Sequence, residues 1–119
     1  MSSKEKILVL DDSNFFRHTV NTILKEAGYE VRCAADAPEA QSLISWATLL
    51  VLDVVMPEMN GMEFARLALK ENPNLKLIMM SSLGQDQVAV EALSAGAWDF
   101  LHKPFSRDVL LDSVKKVLS

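Results

Sequence analysis

The chain is organised around residues 49–61, LLVLDVVMPEMNG. Four consecutive aliphatic residues in this segment lead into a single carboxylate, Asp53. An aliphatic run without polar alternation is typical of a strand that is buried on both faces, as in a parallel sheet covered by helices. The proline and the Asn-Gly pair that follow predict a shaped loop. Ligands of open α/β sheets bind at the carboxyl ends of the strands, so Asp53 is a candidate reactive group.

The composition indicates one globular domain. The 119 residues are 50% hydrophobic and 24% charged, with a formal net charge of -4. A domain of this size buries about two-thirds of its unfolded surface and needs no structural metal to fold. The single Cys33 cannot form an internal disulfide and suits a small core residue. Mild acidity argues against a nucleic-acid surface, and the absence of a membrane span or signal peptide makes the cytoplasm the expected location.

Strand and helix patterns alternate five times along the chain. The predicted strands are residues 7–10, 30–34, 49–53, 75–80 and 100–102. The predicted helices, with their caps, are residues 13–27, 36–44, 62–71, 86–95 and 106–118. This alternation predicts a parallel sheet with helices on both faces, because crossover connections are right-handed. The leading topology is a single flavodoxin-like (βα)5 domain of the α/β class, with a five-stranded sheet in the order 2-1-3-4-5.

Polar residues follow four of the five predicted strands. In the predicted strand order, the carboxyl ends of these strands bring together Asp11, Asp12, Asp53, Ser81 and Lys103. Carboxylates about 4 Å apart repel by roughly 4 kcal/mol at an effective dielectric of about 20, so three acids at one edge call for a cation. Carboxylate oxygens in an open cleft suit Mg²⁺. With an ammonium and a hydroxyl added, the set suits covalent phosphoryl transfer to an aspartate.

Each of these residues also has an ordinary structural explanation when it is taken alone. The pair Asp11 and Asp12 suits a helix cap, Ser81 suits a strand end, and Lys103 suits a solvated surface charge. The joint pattern favours the functional interpretation, because the second strand alone lacks such a residue and it is the edge strand farthest from the cleft.

These segments resemble the receiver domain of bacterial two-component response regulators along essentially the whole chain. The acidic pair of that family appears as LDDS in residues 10–13, and its phospho-acceptor segment appears as LDVVMPEMNG in residues 52–61. The strand-four hydroxyl appears at Ser81, and the lysine-proline pair appears as KPF in residues 103–105. We therefore expect residues 1–119 to form one receiver domain. The predicted strand order is also the known order of this family, so it is not independent of the resemblance.

The resemblance implies a phospho-acceptor rather than an enzyme with a separate substrate. Asp53 would accept a phosphoryl group from a sensor histidine kinase, a phosphotransfer protein or a small phosphodonor. Mg²⁺ would be bound by Asp12, by Asp53 and by the backbone carbonyl of Val55, with Asp11 acting through a water. Lys103, aimed by a cis bond to the following proline, would pair first with Asp53 and then with the phosphoryl group.

The resemblance also implies a conformational switch. Ser81 would hydrogen-bond a phosphoryl oxygen and draw the strand-four loop inward, and Phe100 would then turn into the vacated space. The surface formed by helix four, strand five and helix five would change, and a downstream protein or output domain would respond to it. We expect a partner surface at Trp98, Phe100 and His102. We expect no direct nucleic-acid or membrane partner.

Two departures from the family pattern affect the expected behaviour. Phe100 has no hydroxyl, in contrast to the tyrosine that is common at the switch position. Val55 and Leu83, which flank the position of the attacking water in the family, are both apolar. We therefore expect slow self-dephosphorylation, because neither side chain can orient a water. Asn60 stands where many members have aspartate, and we expect it to lie outside the chemistry.

Three other functions are found on related folds or sites. A flavodoxin needs a phosphate-binding loop after strand one, where Asp11 and Asp12 would repel a phosphate. A haloacid-dehalogenase-type phosphatase needs a second acid two residues after the nucleophile, where this chain has Val55. The remaining alternative is a phosphorylation-independent docking module that keeps the receiver fold, and a phosphorylation test separates it from the switch.

Overall fold

The computed structural model describes residues 4–56, 59–82 and 86–119. The strands of its main sheet are β1 (Lys6–Leu10), β2 (Glu30–Ala34), β3 (Leu49–Asp53), β4 (Lys76–Ser81) and β5 (Asp99–His102). The helices are α1 (Asn14–Glu26), α2 (Ala37–Gln41), α3 (Gly61–Glu71), α4 (Asp86–Ser94) and α5 (Arg107–Leu118). Among the described residues, no helix is long and apolar enough to span a bilayer.

The main sheet has five strands, all parallel, in the order β2-β1-β3-β4-β5. Strand β1 lies between β2 and β3, so that Ile7 is in register with Val31 on one side and with Leu49 on the other. The chain reverses its direction of travel across the sheet between β1 and β3, and this is where an α/β sheet forms its ligand cleft. The predicted flavodoxin-like fold class and strand order are confirmed.

The core consists of two apolar layers, one on each face of the sheet. In β1, Leu8 and Leu10 face one layer, while Ile7 and Val9 face the other, and all four are fully buried. The first layer includes buried residues of α2, α3 and α4, and the second includes those of α1 and α5. Burial on both faces explains why the central strands carry aliphatic residues without polar alternation.

The helix ends carry the capping residues that the sequence predicts. The side chain of Asp36 accepts a hydrogen bond from the backbone N–H of Glu39 at the start of α2. Ser106 caps α5 in the same way by accepting from Val109. Gly28 follows α1 with a φ of 97°, a left-handed conformation that glycine adopts without steric cost. These contacts satisfy backbone groups that a helix cannot pair internally.

Several predicted boundaries differ from the structure by one to three residues. Helix α2 ends at Gln41 instead of Ile44, because the chain tightens into turns in which the N–H of Leu43 bonds to the carbonyl of Ala40 three residues earlier. Strand β4 is shifted by one residue and includes Ser81. Strand β5 begins one residue earlier than predicted, and α4 ends one residue earlier.

The segment after Asp53 is more regular than the predicted loop. Residues Val55–Met56 pair with Met59–Asn60 as a two-stranded antiparallel hairpin outside the main sheet. The hairpin leads directly into α3, whose first residue is Gly61. A proline and an Asn-Gly pair mark a turn, but they do not show that its flanks are paired. Pro57 itself lies outside the described residues.

Candidate functional site

The candidate site lies at the carboxyl edge of the sheet, where four strands end in polar residues. Asp11 follows β1, Asp53 ends β3, Ser81 ends β4, and Lys103 follows β5. Asp11 and Ser81 are fully buried, and Asp53 is 6% exposed. Asp12, the remaining acid, is exposed to solvent. The predicted site thus has a buried floor and one acid at its open side.

Lys103 connects the strands of this site. Its Nζ lies 2.5 Å from Oδ2 of Asp11 and 2.8 Å from Oδ2 of Asp53. Its backbone N–H donates to the carbonyl of Ser81 at 2.8 Å, which continues the β4–β5 pairing beyond the last strand residue. The peptide bond between Lys103 and Pro104 is cis, as predicted. One ammonium therefore contacts carboxylates from the ends of β1 and β3.

The second oxygen of each buried carboxylate is held by the backbone. Oδ1 of Asp11 accepts from the N–H of Ser13 at 3.0 Å, and Oδ1 of Asp53 accepts from the N–H of Val55 at 3.0 Å. Each carboxylate is thus oriented with one oxygen on a backbone amide and the other on the ammonium. Such charge-assisted contacts fix both the position and the rotation of the carboxyl groups.

The three acids are close enough to share a cation. Asp11, Asp12 and Asp53 each place a carboxylate oxygen within 4.8 Å of the others. The three carboxylates and the one ammonium leave an excess of negative charge. The three acids supply only oxygen ligands. This donor set suits a hard cation such as Mg²⁺, which accepts one or two carboxylates and keeps several waters. The residues present therefore fit the predicted metal.

Burial and pairing shift the pKa values of the two central groups. Burial raises the pKa of Asp53, and the hydrogen bonds from Lys103 and Val55 offset only part of that effect. Burial by itself would lower the pKa of Lys103, but the carboxylates of Asp53 and Asp11 outweigh it and raise that pKa. Lys103 therefore carries its positive charge at neutral pH.

Two residues of α1 contact the site although the sequence interpretation assigned them no such role. The ring centroid of Phe16 lies 4.0 Å from Nζ of Lys103, and the ring packs edge to face against Phe105 with 5.2 Å between centroids. Arg17 donates from Nη1 to the backbone carbonyl of Asp11 at 2.8 Å. Helical periodicity identifies Phe16 as an inward residue, but it carries no information on which side chain the ring meets.

The chain after Asp53 returns close to its own backbone before α3. The N–H of Gly61 donates to the carbonyl of Val54 at 3.1 Å. A Cβ atom at residue 61 would lie 2.7 Å from Cα of Val54, so this approach requires glycine. The side chain of Asn60 caps α3 by accepting from the N–H of Met62 at 2.9 Å. Asn60 thus has a structural role that the sequence interpretation did not identify.

The residues predicted for the partner surface, among them the switch residue Phe100, lie in β5 and just before it. Phe100 is half-buried, and its ring packs edge to face against His102 with 5.1 Å between centroids. Trp98 is 57% exposed, and Nζ of Lys76 lies 4.9 Å from the centre of its ring. Val90 and Leu93 of α4 are also exposed. Leu83, which was expected to flank the attacking water, lies outside the described residues.

Strand β5 is joined to α5 by a polar contact. The carboxylate of Asp99 accepts from the hydroxyl of Ser113 at 2.6 Å and pairs with Lys116 at 3.1 Å. Burial raises the pKa of Asp99, but these hydrogen bonds and the one from the backbone N–H of Phe100 outweigh it and lower that pKa. This contact fastens one end of β5 to the middle of α5.

Known proteins of one family are similar to this chain. The family model of the response regulator receiver domain matches residues 7–115. The chemotaxis protein CheY of Thermotoga maritima is 34% identical over 118 residues, which cover 95% of this chain and 97% of that protein. The C4-dicarboxylate transport transcriptional regulatory protein DctD of Pseudomonas aeruginosa is also 34% identical over 118 residues, which cover 98% of this chain but 26% of that protein.

A solved structure gives the same answer at the level of the fold. The crystal structure of a CheY-like response regulator receiver domain protein from Methanospirillum hungatei JF-1 superposes with a TM-score of 0.89 at 33% sequence identity. The match covers 96% of this chain and 93% of that one. The range matched by the family model, residues 7–115, spans every strand end that contributes to the site. The chain therefore belongs to the response regulator receiver domain family.

Proposed function

We propose that this chain is a phosphorylation-activated switch in which Asp53 accepts the phosphoryl group. The proposal rests on one observation above all. The carboxylate of Asp53 lies at the carboxyl end of a buried strand, 2.8 Å from the ammonium of Lys103, inside a cluster of three acids. A buried nucleophile, a fixed cation and a metal-binding acid set are what phosphoryl transfer to a carboxylate requires.

In the proposed reaction, a carboxylate oxygen of Asp53 attacks the phosphorus of the donor. A new oxygen–phosphorus bond forms as the bond between phosphorus and the leaving group breaks, and the leaving group departs with that electron pair. The leaving group is the imidazole of a phosphohistidine or the carboxylate of an acyl phosphate. Lys103 then moves its ammonium from the carboxylate to a phosphoryl oxygen, where its positive charge offsets the added negative charge.

The acid cluster would hold Mg²⁺ during this reaction. Asp11, Asp12, Asp53 and the backbone carbonyl of Val55 are the proposed ligands, with Asp11 acting through a water. When bound, the ion would neutralise charge on the phosphoryl oxygens and on the acids. Val55 already adjoins the cluster, because its N–H donates to Asp53.

The switch would begin at Ser81. Its position at the end of β4, with its carbonyl bonded to the backbone of Lys103, supports a role in contacting a phosphoryl group on Asp53. Phe100 would follow by turning further inward from its present half-buried position. The surface of α4, β5 and α5 would change in consequence, and the exposed Val90 and Leu93 support it as a docking face.

The proposed partners are a phosphodonor and a reader of the switched surface. The donor is a sensor histidine kinase or a phosphotransfer protein. The reader is a downstream protein or an output domain, and the relatives illustrate both settings, since a similar domain makes up nearly all of a chemotaxis protein and about a quarter of a transcriptional regulatory protein. Direct binding to nucleic acid or to a membrane is not part of the proposal. The proposed location of the protein is the cytoplasm.

Intact mass after incubation with acetyl phosphate tests the proposal. The protein is expected to gain one phosphoryl group in Mg²⁺ and none in EDTA. Asp53→Ala should abolish the gain, whereas Asp112→Ala, an exposed aspartate on α5, should leave it unchanged. These matched variants separate loss of the acceptor from a general effect of losing one carboxylate.

The opposite result would identify the alternative function. If the unmodified protein gains no mass with acetyl phosphate, and a fluoride mimic of phosphate does not bind in the presence of Mg²⁺, the chain is a docking module that keeps the receiver fold. A gain that persists in Asp53→Ala would instead place the acceptor on another residue.

A further inference from the structure

The ammonium of Lys103 has an aromatic neighbour as well as its two carboxylates. Nζ lies 4.0 Å from the ring centroid of Phe16, well inside the range of about 6 Å for a cation–π contact. The Lys103 side chain is 12% exposed, so little water competes for its charge. A cation–π contact is stronger when it is shielded from water in this way.

The ring of Phe16 is itself held in place. Phe105 packs against it at a plane angle of 88°, with 5.2 Å between the two centroids. Phe105 follows Lys103 by two residues, while Phe16 lies in the first turns of α1. The edge-to-face contact therefore links α1 to the same segment that carries the lysine. Such aromatic pairs have a preferred geometry and resist rotation of either ring.

A ring face and a carboxylate restrain an ammonium in different ways. A carboxylate binds it through directed hydrogen bonds, which must break when the ammonium moves to another oxygen. A ring face attracts the charge without requiring a specific N–H direction. The lysine can thus exchange one oxygen partner for another while it remains against the ring.

We infer that Phe16 is a positioning residue for phosphoryl transfer, and that its ring face holds the Lys103 ammonium beside Asp53 while the ammonium passes from carboxylate to phosphoryl group. This inference rests on the proposed function, since it concerns the same reaction. Phe16 touches neither the donor nor the metal in this account, and it acts through Lys103 alone. The competing explanation is that Phe16 only fills space between α1 and the segment after β5.

Ring fluorination separates these two explanations. Fluorine atoms withdraw electron density from the ring face but change its shape little, so they weaken a cation–π contact and leave packing nearly intact. Phenylalanines with increasing fluorination are placed at residue 16 of the full chain. The same series at Phe64, which is buried in the apolar layer on the opposite face of the sheet, is the matched control.

The first measurement is the rate of phosphorylation by acetyl phosphate in saturating Mg²⁺. We expect a stepwise fall with fluorination at residue 16, reaching about tenfold for the fully fluorinated ring, and no trend at residue 64. Phe16→Leu should slow the reaction by a similar factor, and Phe16→Tyr should restore it, because tyrosine keeps the aromatic face. The loss should appear in the maximal rate rather than in the donor concentration at half-maximal rate.

The second measurement does not depend on phosphorylation. In the metal-free protein, the ε-methylene protons of Lys103 should resonate upfield of those of the other lysines, because they lie near the face of an aromatic ring. Phe16→Leu should remove this displacement, and Phe16→Tyr should keep it. A wild-type Lys103 signal among the ordinary lysine signals would overturn the inference.

The outcomes distinguish this inference from the proposed function. If the unmodified protein takes no phosphoryl group, the proposed function fails, and the positioning role fails with it. If the unmodified protein is phosphorylated and every residue 16 variant reacts at the same rate, the inference alone is wrong. Equal slowing by fluorination at residues 16 and 64 would also overturn it, since the effect would then be general.

Discussion

Replacing Lys103 by methionine should destabilise the protein in a manner that depends on pH. The substitution keeps most of the side-chain volume but removes the ammonium that lies 2.5 Å from Asp11 and 2.8 Å from Asp53. Both carboxylates stay buried, and they lose the charge that offsets their mutual repulsion. Removing one partner of a buried ion pair typically costs about 3–5 kcal/mol, because it leaves an uncompensated charge.

The size of the loss follows from the geometry. Two carboxylate oxygens at the 4.8 Å limit of the cluster repel by about 3.5 kcal/mol at an effective dielectric of about 20. The alternative is for one carboxyl to take up a proton, which costs about 4 kcal/mol at pH 7 for an ordinary aspartate. The two routes cost nearly the same, so we expect a loss in the free energy of unfolding of about 3–4 kcal/mol at pH 7.

The pH dependence has a definite sign. Burial already raises the pKa of Asp53, and removal of Lys103 raises it further. A carboxyl group with a raised pKa binds more protons in the folded than in the unfolded state, so stability falls as pH rises from about 3.9 through the folded pKa. The difference in the free energy of unfolding between Lys103→Met and wild type should therefore shrink to about 1 kcal/mol near pH 4.5.

Urea unfolding in EDTA at pH 7 and pH 4.5, followed by circular dichroism, measures this difference. Lys115→Met, at an exposed position of α5, is the matched control and should change stability by less than about 0.5 kcal/mol. Adding Asp53→Asn to Lys103→Met should recover most of the loss, because it removes the repulsion. A loss below about 1 kcal/mol at pH 7, or an equal loss at both pH values, would refute the electrostatic reasoning.

Three further predictions concern other parts of the molecule. Gly61→Ala should lower the free energy of unfolding by about 1–3 kcal/mol, because the new Cβ meets the backbone of Val54; an unchanged urea midpoint would contradict this. Asp99 has a lowered pKa, so the free energy of unfolding that it contributes through its contact with Ser113 should be lost as pH falls from about 3.9 through the folded pKa. Asp99→Asn should lack this acid-dependent loss of stability to urea. Val55 is apolar and exposed beside Asp53, so its side chain cannot orient a water for hydrolysis. The phosphorylated form should therefore persist for minutes or longer in Mg²⁺, as measured by intact mass, and decay within seconds would contradict this prediction.

The main sheet could be predicted because its determinants are local. Uninterrupted aliphatic runs at β1, β3 and β4 report burial on both faces, and the alternation with helical periods leaves few possible topologies. The candidate site follows from the same information. Once parallel strands are aligned, residues directly after them must share one edge, and this placed Asp11, Asp53 and Lys103 together without any knowledge of distances.

Errors in the local prediction occurred where the sequence has no distinctive pattern. The end of α2 was predicted three residues late, since the apolar stripe continues to Ile44 whether the backbone is helical or turns more tightly. The hairpin beside Asp53 was missed because two-residue strands are too short to show alternation. In both places the final conformation depends on how the segment packs against the sheet.

The sequence by itself determined that the aliphatic strands are buried, that the sheet is parallel and that polar side chains stand at its carboxyl edge, because aliphatic runs and their alternation with helices are visible in the chain pattern. The strand order followed from the known order of the family. Only the tertiary structure decided which atoms of those side chains meet. The ring of Phe16 lies against Lys103, 87 residues away along the chain, and Asp99 is joined to Ser113 of α5. Such contacts depend on the rotation and depth at which each helix packs on the sheet, and no local pattern encodes these.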